Sequence, residues 1–186
     1  MLFRSTSDQV FEALGEPPVA TPRALQAGEV AYVSTQHLHA GLHRLLEVRR
    51  VVGLRNSGHS LVKLMNPLAG PALIVGCYTH PEYAHSMGAT FALRGSLAVL
   101  LRGTEGEPVA DPRRCPLIEG LHDGQREVLQ PAQEGSLATL PDLPSGQDID
   151  ATVRYTRAVL SGEQSVPEPI RVQVQGIAAF ARRHGV

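Results

Sequence analysis

Apolar positions along this chain fall into two rhythms, one near every third or fourth residue and one in short continuous runs. The first rhythm opens at Val10, Phe11 and Leu14. It follows Thr6-Ser7-Asp8-Gln9, whose spacing fits a capping box, and Gly15 stops it. Pro17-Pro18 then breaks the chain, and Thr21-Pro22 predicts a short helix with proline at its first position. Val30-Ala31-Tyr32-Val33 is a short apolar run suited to a buried strand. Helical spacing returns at Leu38, Leu42, Leu45, Leu46 and Val52, predicting one helix from Gln36 to Val52 that ends at Gly53. A second helical stretch runs from Ser57 to Met65 and closes at Asn66-Pro67.

The continuous runs come next. Ala72 to Val75 and Leu97 to Leu101 read as buried strands, with a helix from Pro81 to Arg94 between them. Strand, helix and strand with short connections make a βαβ unit. The segment from Gly103 to Asp150 is rich in Gly and Pro and predicts loops with two short strands, one near Glu127-Val128-Leu129. Two helices close the chain, Asp148 to Leu160 and Pro167 to Arg183. The expected fold is therefore α/β, a parallel-rich sheet with helices on both faces.

Composition narrows the class. The chain has 186 residues, enough for one ordinary domain or part of a larger one. Hydrophobic residues make up 42% and charged residues 19%, which excludes a disordered or fibrous chain. Two cysteines, Cys77 and Cys115, are too few for a disulfide framework or a cysteine-type zinc site. No apolar run nears the roughly 18 residues of a membrane span, and the first residues turn polar at once. These features predict a cytoplasmic protein with no membrane partner.

Charge carries the main functional signal. The net charge of -1 excludes a globally basic nucleic-acid binder. Locally the balance differs: Arg44, Arg49, Arg50, Arg55 and Lys63 face one acid, Glu47, between Gln36 and Lys63. His37, His39, His43 and His59 lie in the same stretch. Gly103 to Asp150 holds ten acidic residues against Arg113, Arg114 and Arg126. A basic segment of this kind is either an anion site or a solvated helix face. His39 and His43 are four apart, as in a helical metal pair, but no third ligand stands at a telling spacing. His80-Pro81-Glu82 has the H-x-E of zinc deaminases without the partner P-C-x-x-C, so a turn into a helix is the expectation. Glu105 and Glu107 follow a strand end, where they could hold Mg²⁺ near a phosphate or form an acidic loop. Cys77 reads as a small buried residue, and no catalytic residue stands out.

The run from Val48 to Pro67 resembles, without a gap, the segment V-R-x-x-L-G-x-R-T-x-x-N-x-L-G-P-L-x-N-P of anthranilate phosphoribosyltransferases. His39 lies ten residues before Arg49, where that family has the His of H-P-A-M. Val75-Gly76-Cys77-Tyr78 through Pro81-Glu82 resembles V-G-V-Y-D-P-E-L with one insertion. The combination of R-N-S-G-H-S-L-x-K-L-x-N-P with R-G-T-E-G-E is similar to a branch of glycosyltransferase family 3. Members of that branch are described as anthranilate phosphoribosyltransferase-like and DNA-binding.

The resemblance implies a nucleoside phosphorylase/phosphoribosyltransferase-like fold, with residues 1–186 as the C-terminal part of its α/β domain. The family's N-terminal helical domain, its D-G-T-G-G-D phosphate loop and its K-H-G-N-R segment have no counterpart here. It implies His39 and Arg49 at an anthranilate pocket, where a guanidinium grips a carboxylate in a bidentate way. Mg²⁺ follows only if phosphoribosyl transfer is retained, with Glu105 and Glu107 a loose match to the acidic pair that holds it. Three functions follow. The first is non-specific binding of DNA or RNA through Arg44, Arg49, Arg50, Arg55, His59 and Lys63. The second is phosphoribosyl transfer to anthranilate or a similar aromatic acid, as in tryptophan biosynthesis, against which the missing phosphate loop weighs. The third is a truncated product with no independent activity. The family's homodimer forms through the helical domain, whose absence weighs against a dimer here.

Overall fold

The computed structural model describes residues 6–21, 23–104, 106–144 and 148–186. The chain forms two compact units. One comprises residues 1–62 with 142–165, the other 63–141 with 166–186.

The first unit is helical. Helix α1 (Ser7–Leu14) carries the expected capping box between Thr6 and Gln9 and ends on Gly15 in the left-handed region. The expected helix from Gln36 to Val52 is instead two, α2 (Thr35–Leu38) and α3 (Ala40–Val52), with an extended His39 between them. The hydrophobic spacing carried through the break, because one extended residue does not erase a stripe read over 15 positions. Helix α4 (Gly58–Leu61) follows, and α6 (Ile149–Ser161) starts at the capping Asp148, whose carboxylate accepts from Ala151 N at 2.9 Å. Helix α1 packs on α6, and Arg157 reaches the carbonyl of Ala13 at 3.2 Å. The run Val30–Val33 forms no strand. Val30 is exposed, Tyr32 stacks on Phe11 with ring centroids 5.1 Å apart, and Tyr32 O accepts from Val19 N. Of the expected short helix at Thr21-Pro22, Pro22 lies outside the described residues, and residues 23–30 are not helical. Among the described residues of this unit only Gly58 and Val153 are buried.

The second unit is built on a four-stranded sheet in the order β1-β2-β3-β4. Its strands are β1 (Ile74–Tyr78), β2 (Ala98–Arg102), β3 (Ile118–His122) and β4 (Gln125–Gln130). Strands β1 and β2 are parallel across helix α5 (Glu82–Leu93), as the βαβ pattern requires. The remaining two pairings are antiparallel, so the sheet is mixed rather than rich in parallel pairs. The cause is local. Asp123-Gly124, both at positive φ, turn β3 straight back into β4, and a two-residue turn can only make an antiparallel pair.

Alternation along β2 decides what covers each face. Ala98 and Leu100 point with Ile74 and Leu121 toward Met87 and Phe91 of α5. Val99 and Leu101 point with Ile118 and Cys115 toward Phe180 of helix α7 (Glu168–Arg183). Helices thus cover both faces of this sheet. No helix among the described residues is long and apolar enough to cross a membrane.

Candidate functional site

Two places hold the residues singled out by the sequence, and a third gathers residues that it did not mark. The first is helix α3. His39 is its N-cap: the imidazole Nδ1 accepts a hydrogen bond from Leu42 N at 3.0 Å. Arg44, Arg49 and Arg50 lie along the helix, and Arg55 in the loop after it; all four are exposed. At 3.6 residues per turn, Arg44 and Arg49 diverge by about 140°, and Arg49 and Arg50 by about 100°. They therefore do not form one stripe. Arg50 pairs with Glu47 at 2.8 Å. Arg44, Arg49 and Arg55 make no hydrogen bond or ion pair among the described residues. Loop and helix are tied by Asn56, whose amide donates to Leu45 O at 2.7 Å and accepts from Gly58 N at 3.0 Å. His59 Nδ1 lies within 3.3 Å of the Asn56 backbone and side chain, so that nitrogen is committed locally.

The second place is the carboxyl end of β1 in the other unit. Lys63 belongs here and not with the arginines. Gly103 packs so tightly that a Cβ would lie 2.2 Å from Glu107 O and 2.7 Å from Cys77 Cβ. The buried Cys77 thiol donates to Gly106 O at 3.0 Å. Burial pushes that thiol above the usual range; Lys63, which hydrogen-bonds it, and its charge pull the other way, and the Glu107 carboxylate adds to the rise. Cys77 is thus the buried, quiet residue its position suggests. Glu105 lies outside the described residues. Around Glu107 the described residues supply one carboxylate beside a thiol and an ammonium, which does not make the oxygen set Mg²⁺ takes. No group of three or more His, Cys, Asp or Glu side chains suited to a metal occurs among the described residues.

The third place was not visible in the sequence reading. Arg102, Arg113 and Arg114 converge on a cleft at the carboxyl end of β2. In the sequence, Arg113 and Arg114 sit inside a strongly acidic stretch, which hid them. Their placement near Arg102 depends on the turn at Asp111, a tertiary feature with no periodicity.

No family model matches the chain. Relatives do. The chain is 31% identical over 176 residues to the uncharacterized protein YbiB of Escherichia coli, covering 92% of this chain and 54% of that protein. It is 31% identical over 181 residues to the anthranilate phosphoribosyltransferase of Salinispora arenicola, covering 92% and 50%. The enzyme of that name from Moorella thermoacetica is 30% identical over 186 residues, covering 96% and 53%. The chain spans about half the length of the curated relatives it matches. These matches support a phosphoribosyltransferase-like family for the chain.

Proposed function

We propose that the chain is the C-terminal part of a glycosyltransferase family 3 protein, like the anthranilate phosphoribosyltransferases, that binds nucleic acid through its basic helical segment. The observation that carries the nucleic-acid reading is the set of three exposed guanidiniums, Arg44, Arg49 and Arg55, with no hydrogen-bond or ion-pair partner among the described residues. Their divergence suits the task. A helix is about 10–12 Å wide with its side chains, and a major groove is about 12 Å wide. Cations on separate sides of one helix can reach the phosphates on both walls, where a single stripe would reach one. Such contacts position without reading bases, so DNA and RNA of any sequence are expected partners. The near-neutral net charge does not oppose this, since screening cuts charge effects beyond about 8 Å at physiological ionic strength. His59 and Lys63 play a smaller part, being half-buried and engaged with Asn56 and Cys77. Titration of labelled DNA at two salt concentrations tests the reading.

Phosphoribosyl transfer to an aromatic acid is the second reading, favoured by the activity for which the relatives are named and by the Arg49 guanidinium, exposed and without a partner among the described residues. Its expected partner His39 spends one ring nitrogen on capping α3. An assay of the purified chain with anthranilate, the phosphoribosyl diphosphate donor and Mg²⁺ separates the two. Turnover favours the second reading, and salt-dependent DNA binding without turnover favours the first.

A further inference from the structure

The cleft at the carboxyl end of β2 has a volume of about 540 Å³, and its lining includes Tyr78, Arg102, Asp111, Arg113, Arg114 and Leu117. That is the size range of small-molecule sites. Three guanidiniums meet one carboxylate. Asp111 is already taken: Arg113 Nε and Nη2 each donate to it at 2.9 Å, and Arg113 N does so as well. Arg102 and Arg114 are exposed and make no hydrogen bond or ion pair among the described residues. Among the described residues, two guanidiniums beside this cavity therefore have no carboxylate within ion-pair distance.

The cleft is also held in shape from behind. Gln173, buried in α7, spends both ends of its amide on the loop leading into the Arg113 turn. Its oxygen accepts from Ala110 N and its nitrogen donates to Pro108 O, each at 2.7 Å. On the far side, Leu137 N donates to Arg113 O, and Gln133 N donates to Cys115 O, both at 2.9 Å. A buried polar side chain used only to fix a loop backbone is what a preorganised binding site requires. The walls at Tyr78, Pro116 and Leu117 offer apolar surface beside the cations.

We propose that this cleft binds a small organic phosphomonoester, its dianionic phosphate held between Arg102 and Arg114 and its organic part against Tyr78, Pro116 and Leu117. Neither the run from Val48 to Pro67 nor the basic helix lines it, so it goes beyond the reading above. A guanidinium fork matches a phosphate oxygen pair, and two unpaired cations match a double charge. The cavity's own charge is fixed near neutral pH. The Arg113 hydrogen bonds hold Asp111 below the usual carboxylate range. Burial lifts the Tyr78 hydroxyl and the Cys115 thiol above theirs. No histidine lines the cleft. Any change in affinity across that range is therefore the ligand's own titration, centred near pH 6 for a phosphomonoester.

The test is calorimetric titration of the full chain with phenyl phosphate at low ionic strength, with benzoate as the singly charged comparator. Saturable binding is expected that weakens between about pH 8 and pH 5 as the phosphate loses its second charge. Benzoate should bind at least tenfold more weakly. Arg102→Ala and Arg114→Ala should each weaken phenyl phosphate at least tenfold, a difference of about 1.4 kcal/mol. Arg182→Ala, which removes an exposed charge at the end of α7, should leave binding unchanged. Backbone amide shifts should change at residues 102–104 and 113–115, a readout on the native chain that needs no variant. Absence of saturable binding would overturn the proposal. So would equal affinity for benzoate, indifference to both substitutions, or amide shifts confined to residues 40–55.

Discussion

The ring of Phe180 lies over Gly120: a Cβ at Gly120 would stand 2.5 Å from Phe180 Cε2 and 2.8 Å from Cζ. Helix α7 can seat its largest buried side chain on β3 only because β3 presents no side chain there. Gly120→Ala should therefore cost about 1–3 kcal/mol, the usual effect of overpacking a filled core. Gly176, also on α7, has open space at its Cβ position. Gly176→Ala should be neutral or stabilise by up to about 1 kcal/mol. Chemical denaturation of both variants checks the pair.

Helix α3 begins on the His39 imidazole, so His39→Ala removes the acceptor for Leu42 N. Loss of about 1 kcal/mol is expected, with reduced helicity by circular dichroism. His39→Asn supplies another capping acceptor and should restore most of the loss. A role for His39 in anthranilate binding alone would leave helicity unchanged in both variants.

Asp111 should titrate below the ordinary aspartate range, because Arg113 and the Arg113 amide hydrogen-bond its charged form. The sign follows from that lowering. Whatever stability the pair contributes is present above the unfolded aspartate value and fades as pH falls through the lowered one. Arg113→Ala should move the Asp111 titration back up. Carboxyl carbon shifts followed by NMR against pH measure both effects, and an Asp111 that titrates normally in the native chain would contradict the geometry.

Cys77 and Cys115 are buried thiols whose burial raises them above the usual range. Their thiolates form only in more alkaline solution than a free cysteine needs. Both should resist a thiol reagent near pH 8 in the native chain and react at once in denaturant. Fast native reaction at either position would show the packing around it to be loose.

The sequence was most informative where one signal set a whole element. Capping at Thr6 and Gln9, and Gly15 behind Leu14, placed α1. The apolar run ending at Leu101 placed β2, and Gly95 marked the end of α5. It was least informative where a single tertiary contact overrode a local pattern. Val30–Val33 has the residues of a strand but forms none; Tyr32 O accepts from Val19 N, and the Tyr32 ring packs on Phe11. Strand β1 starts two residues and ends three residues later than the apolar run suggested, because Cys77 and Tyr78 are buried, Tyr78 beside α5 and Cys77 against Gly103. The basic segment was legible as charge, but not its division. Arg44, Arg49 and Arg55 stand in one unit and Lys63 in the other, and helical phase sends the arginines of α3 to separate sides.

Arg44, Arg49 and Arg55 of the helical unit, unpaired among the described residues, are proposed to hold nucleic-acid phosphates. Fluorescence anisotropy of a labelled duplex, titrated with the chain over a series of salt concentrations, tests it most directly. Affinity should fall linearly with the logarithm of salt. Replacing Arg44, Arg49 and Arg55 together by Ala should flatten that slope by about 3, since each phosphate contact contributes roughly 0.9 for duplex DNA. The loss should be equal for unrelated sequences, and Arg182→Ala should change nothing. Absence of binding at low salt, or a slope untouched by the triple substitution, would contradict the account and leave the basic segment a solvated helix face.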